Sequence, residues 1–154
     1  MQPLAPLPGL PPRLSILMPV KDEGANLPII LKILSAVVEV PHEILVVYDE
    51  PTDTSIPVVQ TLQRGYPQVR LIHNRLGAGV GHAIRAGVRE AAGDYELLFA
   101  VDDTGPVLAI DEMLRLMEEG CDLVSCTRYA GGGRRLGGSL LGGILSRLAN
   151  ALFR

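Results

Sequence analysis

Four short clusters of side chains that can do chemistry stand out: Lys21, Asp22 and Glu23; Tyr48, Asp49, Glu50 and Asp53; Asp102 and Asp103; and Arg128 with Tyr129. Each cluster follows directly on an apolar run. Carboxylates in such places accept hydrogen bonds from hydroxyl and amino groups or act as oxygen ligands for a hard divalent cation, and arginine grips phosphate through two parallel hydrogen bonds. A nucleoside diphosphate donor needs all of these: acceptors for its base and ribose, a cation for a pyrophosphate leaving group, and, where the acceptor is itself a phosphate, an arginine. Asp49, Asp102 and Arg128 can fill those three roles. Taken singly, each acidic loop is equally well a solvated turn. The functional reading therefore depends on whether the fold brings the clusters together.

The elements that must position them are legible from apolar periodicity. Leu14 to Val20 is apolar at nearly every position instead of alternating, and predicts a buried strand. Leu27, Ile30, Leu31, Leu34, Val37 and Val38 then recur at helical spacing, with Asn26 placed to cap the start, Pro28 in the first turn and Pro41 beyond the end. Ile44 to Tyr48 predicts a second strand, Ile56 to Leu62 a helix, Val69 to His73 a third strand, and Val80 to Ala92 a helix stopped by Gly93. Tyr95 to Val101 predicts strand four. Ile110, Met113, Leu114 and Met117 mark a helix ending at Gly120, and Leu123 to Thr127 predicts strand five. Alternating strand and helix implies right-handed crossovers, a mainly parallel sheet with helices on both faces, and ligands outside the carboxyl ends of the strands. All four clusters fall at such ends.

Composition narrows the class. A chain of 154 residues that is 47% hydrophobic fits one domain with a real core. Residues 1–12, rich in proline, read as a flexible leader, residues 13–130 as the folded domain, and residues 131–154 as a glycine-rich basic loop and amphipathic helix. The net charge of −3 argues against nucleic acid as a partner. Its distribution is uneven: all seventeen acidic residues lie at or before Asp122, whereas Arg128, Arg134, Arg135, Arg147 and Arg154 follow with no acid among them. With Leu141, Ile144, Leu145, Leu148 and Leu152 at helical spacing, this basic end suits peripheral contact with a membrane or packing on the domain. Cys121 and Cys126 show neither disulfide-framework nor zinc spacing, which fits a reducing, cytoplasmic setting. His42, His73 and His82 are scattered without ligand spacing and read as surface or loop residues, and Gly77, Gly79 and Gly81 as helix-start geometry.

Four blocks in order carry a resemblance to a known family. LSILMPVKDEGANL resembles the first strand and loop of glycosyltransferase family 2 at Pro19 and Glu23, with Lys21 and Asp22 departing from its pattern. EILVVYDEPTDTS is similar to the second-strand signature at Asp49 and Asp53, departing at Tyr48 and Glu50. HNRLGAGVGHAIRAGVREAAGDYELLFAVDD matches at Asn74, Gly77, Gly79, Ala83, Gly87, Gly93 and Asp94, and leads into the family's metal-binding DxD, of which Asp102 is the second aspartate and Ala100 replaces the first. DEMLRLMEEGCDLVSCTRYAGGGR resembles the Ser-Arg-Tyr turn of the branch that includes the dolichyl-phosphate mannosyltransferases, at Arg128 and Tyr129.

The resemblance covers roughly residues 13 to 150 and implies a Rossmann-like GT-A nucleotide-diphospho-sugar transferase fold and inverting transfer of a hexose from a nucleotide diphosphate sugar to a polyprenyl phosphate. It places Pro19, Glu23, Val47 and Asp49 at base and ribose, and Val101 and Asp102 along the pyrophosphate. Asp102, with Asp103 in support, would bind Mg²⁺ or Mn²⁺, and Arg128 and Arg134 would grip the lipid phosphate. Catalysis would rest on Asp102 and Arg128. Two other readings stay open: a transferase with a soluble sugar acceptor, and a non-catalytic nucleotide-sugar-binding module, the latter motivated by Ala100 and the early end of the chain.

Overall fold

A computed structural model describes residues 11–126. Its elements run β1 (Leu14–Pro19), α1 (Leu27–Val37), β2 (His42–Tyr48), α2 (Ser55–Leu62), β3 (Val69–His73), α3 (Val80–Glu90), β4 (Tyr95–Leu98), a 3-10 turn (Gly105–Ala109) and α4 (Ile110–Glu118). The four strands form one sheet in the order β3-β2-β1-β4, and every pair is parallel. The expected alternation of strand and helix is thus what the described residues adopt.

The apolar runs of β1 and β2 do not alternate because both faces of the sheet are covered. Successive side chains of a strand point to opposite faces. Ile16, Met18, Ile44 and Val46 enter a large cluster with Leu27, Ile30, Leu31 and Leu34 of α1 and with Ile110 and Leu114 of α4. Leu17, Leu45 and Val47 face the other way, onto Ala83 and Ala86 of α3. Helix α3 comes very close to the sheet because the face it presents is small: a Cβ on Gly87 would lie 3.2 Å from Val47 Cγ2 and 3.3 Å from Leu17 Cδ2.

The amino edge of the sheet is pinned by a buried carboxylate. Glu43 Oε1 accepts from Ser15 Oγ at 2.8 Å and from the Ala92 N–H at 2.7 Å, and Arg70 donates to Oε2 at 2.9 Å. Ser15 Oγ in turn accepts from the Gly93 N–H at 2.9 Å. This network fixes the end of α3 and the start of β4, as a buried charge requires partners.

Several expectations change. Strand four ends at Leu98 instead of Val101, although the Phe99 N–H still donates to Leu17 O at 2.9 Å before the chain turns away. The fifth strand does not form over its described part: residues 123–126 lie outside the sheet and Leu123 is 84% exposed. The apolar composition that predicts a strand there finds no paired neighbour, since a strand exists only through its ladder. Asn26 stands at the N-cap of α1, with Pro28 in the first turn, but its side chain makes no cap hydrogen bond and its amide donates instead to Glu23 Oε2 at 2.7 Å. His42 is buried, not superficial. Thr127 and everything after it, including Arg128, Tyr129, Arg134 and the basic segment 131–154, lie outside the described residues, as do residues 1–10 of the leader. No helix among the described residues is long and apolar enough to cross a membrane.

Candidate functional site

At the carboxyl edge, the ends of β2, β1 and β4 stand side by side. Neighbouring strands are about 4.8 Å apart, so β2 and β4 are separated by roughly 10 Å, with β1 between them. The chain builds β2 and β3 to one side of β1 and then crosses to place β4 on the other. A crevice at such a reversal is where open α/β sheets bind ligands. Pro19 to Glu23 follow β1, Asp49 follows β2, and Ala100 to Asp103 follow β4.

Asp49 is the most firmly held of these groups. Its Oδ1 accepts from Asn74 Nδ2 and its Oδ2 from the Gly79 N–H, both at 2.7 Å. Asn74 directly follows β3 and is buried; Gly79 is the N-cap of α3, with φ +111. Residues from the ends of two strands and the start of a helix therefore converge on one carboxylate. Hydrogen bonds to the charged form favour it. The Gly79 N–H first, then the Asn74 amide, and more weakly the charges of His82 and Lys21, hold Asp49 below the usual carboxylate range.

A second clasp joins the loops after β1 and β2. The buried carboxylate of Asp53 accepts from the Asp22 N–H at 3.2 Å and the Ser55 N–H at 2.7 Å through Oδ1. Asp22 answers by accepting from the N–H and Oγ1 of Thr54, each at 3.2 Å, and the Glu23 N–H donates to Ser55 Oγ at 2.9 Å. Asp22 takes φ +58, a left-handed geometry that aspartate tolerates better than most residues. Glu23 is thereby fixed at the rim, partly exposed. Tyr48, which departs from the family pattern, stacks on His73 at 5.0 Å between ring centroids and 2° between planes.

Past β4, Val101 is buried, Asp102 is exposed and Asp103 accepts from the Gly105 N–H at 3.0 Å. Ala100 is exposed. Among the described residues no three His, Cys, Asp or Glu side chains are grouped to hold a metal ion, so an all-protein cage is absent there. The surroundings do suit a magnesium-like cation, which keeps several waters and binds through one or two carboxylates plus phosphate oxygens. Asp102 is open to solvent and can serve in that way.

Of the residues expected at the site, Pro19, Glu23, Asp49, Asp102 and Asp103 lie along this edge with some exposure, whereas Val47 and Val101 are buried within it. Val47 packs inward against α3, and its carbonyl accepts from the Val20 N–H at 2.9 Å. Arg128 and Arg134 lie outside the described residues. Asn74, Gly79 and Ser55 are supporting residues that sequence reasoning did not place at the site, and Asp53, which it did place in a strand-end cluster, serves as a clasp between loops. Asn74, Gly79 and Asp53 do stand in the matched blocks, but their partners are 25 to 31 residues away along the chain, and spacing does not reveal them.

Comparison with known proteins agrees with this architecture. The family model described as glycosyl transferase family 2 matches residues 15–145. The chain is 28% identical over 123 residues to the dolichol-phosphate mannosyltransferase of Pyrococcus furiosus, covering 79% of this chain and 35% of that one. It is 31% identical over 121 residues to the undecaprenyl-phosphate 4-deoxy-4-formamido-L-arabinose transferase of Yersinia enterocolitica, covering 75% and 37% respectively. It therefore spans little more than a third of the length of these relatives. Among solved structures, the mannosyltransferase PcManGT of Pyrobaculum calidifontis, in complex with GDP-Man and Mn²⁺, superposes with a TM-score of 0.55 at 23% identity, over 68% of this chain and 32% of that one. That likeness shows the GT-A fold. With the parallel sheet, the matched span and the acidic carboxyl edge all in agreement, the chain belongs to glycosyltransferase family 2.

Proposed function

We propose that the carboxyl edge binds a nucleoside diphosphate sugar and that the chain transfers the hexose to a polyprenyl phosphate. The observation that carries this reading is the Asp49 carboxylate, kept ionised by Asn74 and Gly79 beside the ends of β1 and β4. The names of both relatives, a dolichol-phosphate and an undecaprenyl-phosphate transferase, support the acceptor class.

In this reading Pro19, Glu23 and Asp49 receive base and ribose, with Val47 as the wall behind them, and Val101 and Asp102 run along the diphosphate. Arg128, with Arg134, neutralises the acceptor phosphate. An oxygen of that phosphate attacks the anomeric carbon on the face opposite the diphosphate, the bond from that carbon to the diphosphate oxygen breaks, and the nucleoside diphosphate leaves with the electron pair and inversion at carbon. The acceptor is already ionised at neutral pH, so no strong general base is required. Positioning and neutralisation of charge supply the catalysis. Mg²⁺ or Mn²⁺ held by Asp102, with Asp103 nearby, would supply neutralisation of the leaving diphosphate. The basic residues after Arg128 belong to the same reading as a contact with the cytoplasmic face of a membrane.

The test is transfer of labelled hexose from GDP-mannose or UDP-glucose to a polyprenyl phosphate in detergent. The reading expects lipid-linked product with the wild-type chain and loss of about a hundredfold or more with Arg128→Ala. Product that forms equally well with a soluble sugar acceptor would overturn the acceptor assignment. A second reading, a binding module without turnover, is favoured by the exposed Ala100 where the family has its first DxD carboxylate; it expects nucleotide binding and no transfer.

A further inference from the structure

The amide of Asn74 has a role at this edge that its position in the sequence does not disclose. Asn74 is only 5% exposed, and nearly its whole hydrogen-bonding capacity is used. Nδ2 donates to Asp49 Oδ1 at 2.7 Å and to the Gly77 carbonyl at 2.6 Å, while Oδ1 accepts from the Leu76 N–H at 2.9 Å. Its own N–H donates to the Tyr48 carbonyl at 2.9 Å, which locks the end of β3 beside the end of β2. One buried side chain thus grips the carboxylate of one strand end and both sides of the loop that delivers the Gly79 N–H to that same carboxylate. Gly77 takes φ +125, and a Cβ there would lie 2.5 Å from His82 Nδ1, so the loop is fitted closely against the start of α3.

The consequence concerns what Asp49 can recognise. With one hydrogen bond on each oxygen, the part-exposed carboxylate is held against rotation, and each oxygen keeps further acceptor capacity. A fixed pair of acceptors suits two hydroxyls on adjacent carbons, the arrangement in a ribose. A carboxylate free to turn would instead form one hydrogen bond at a time and discriminate poorly. We propose that Asn74 is a positioning residue that clamps Asp49 as a two-oxygen acceptor for the ribose diol, and so sets a preference for ribonucleotides over 2′-deoxyribonucleotides. This rests on the nucleotide reading of the site given above.

The test pairs a ligand-free measurement with a ligand-bound one, on the wild-type chain, Asn74→Ala and Asn74→Ser. The serine variant keeps a polar group in the buried position but is too short to span Asp49 and Gly77, and serves if the alanine variant does not fold. Titration of the Asp49 carboxyl carbon by ¹³C NMR, assigned through Asp49→Asn, should show its midpoint moving upward in both variants. Affinities for GDP, UDP and their 2′-deoxy counterparts should favour the ribonucleotide by about tenfold or more in the wild type, since hydrogen bonds to charged groups are the stronger kind. That ratio should fall close to one in the variants. An unmoved Asp49 midpoint, or affinity lost equally for ribo and deoxy forms, overturns the role of Asn74. Failure of the wild type to bind any of the four nucleotides overturns the nucleotide reading and this inference with it; the ligand-free titration tells the two failures apart.

Discussion

At the residue scale, the account turns on groups whose charge is fixed by backbone geometry. Asp49 illustrates the sign of the effect. Its native carboxyl is held below the usual range, first by the Gly79 N–H and then by the Asn74 amide. Its contribution to stability is therefore complete above about pH 4, where an unfolded aspartate is ionised, and is lost as the pH falls through the lower native value. Melting temperatures from pH 2 to pH 6 should show the wild type losing more than Asp49→Asn in that acid window; parallel curves would contradict it. Ala100 yields a second prediction. Restoring a carboxylate with Ala100→Asp, beside the exposed Asp102, should raise the affinity for Mn²⁺ by about tenfold or more, read by calorimetry with GDP present. Sequence alone singles out Asp49 and Asp102 as candidates, because carboxylates just past apolar runs stand out in a strand-helix alternation. It did not reveal the clamps on Asp49 and Asp22. Those hydrogen bonds join segments about 30 residues apart, and Asn26, whose type suggests a cap, bonds Glu23 instead.

At the element scale, close packing and burial decide. Gly93 sits where β4 begins, and a Cβ there would meet Ser15 N at 2.7 Å and Leu14 C at 2.9 Å, both backbone atoms that cannot turn aside. Gly93→Ala should cost about 1–3 kcal/mol in urea unfolding; a neutral result would show that β1 and β4 are free to separate. His42, the first residue of β2, is buried, its Nδ1 lies 2.9 Å from the Val40 carbonyl, and burial lowers its pKa. The unfolded imidazole takes up a proton near pH 6.5 while the native one stays neutral, so stability falls as pH drops below that value until the native pKa is reached. His42→Gln should remove this increment of pH dependence below about pH 6.5, read as melting temperature against pH. Helix periodicity placed all four α-helices of the described residues to within a few residues, because Ala83, Ala86 and Gly87 or Leu27, Ile30 and Leu31 recur on single faces. The expected fifth strand fails over residues 123–126 for a reason that local apolarity cannot anticipate: a strand needs a partner, and Leu123 is left exposed.

At the scale of the whole molecule, one parallel sheet with a reversal beside β1 brings three acidic strand ends to a single edge, and the five arginines after Asp122 have no acid among them. That uneven distribution of charge along the chain supports the proposed reading of a nucleotide donor and an anionic acceptor. The central claim is that this edge binds a nucleoside diphosphate sugar through Asp49. The most direct measurement is the melting temperature of the chain with GDP-mannose and UDP-glucose, with and without Mn²⁺, alongside Asp49→Asn. A ligand that binds only the native state adds about 2.7 kcal/mol of stability at a hundred times its Kd. The account predicts a rise with at least one of the sugars, abolished by Asp49→Asn; no rise with either, or a rise of the same size in the variant, would contradict it.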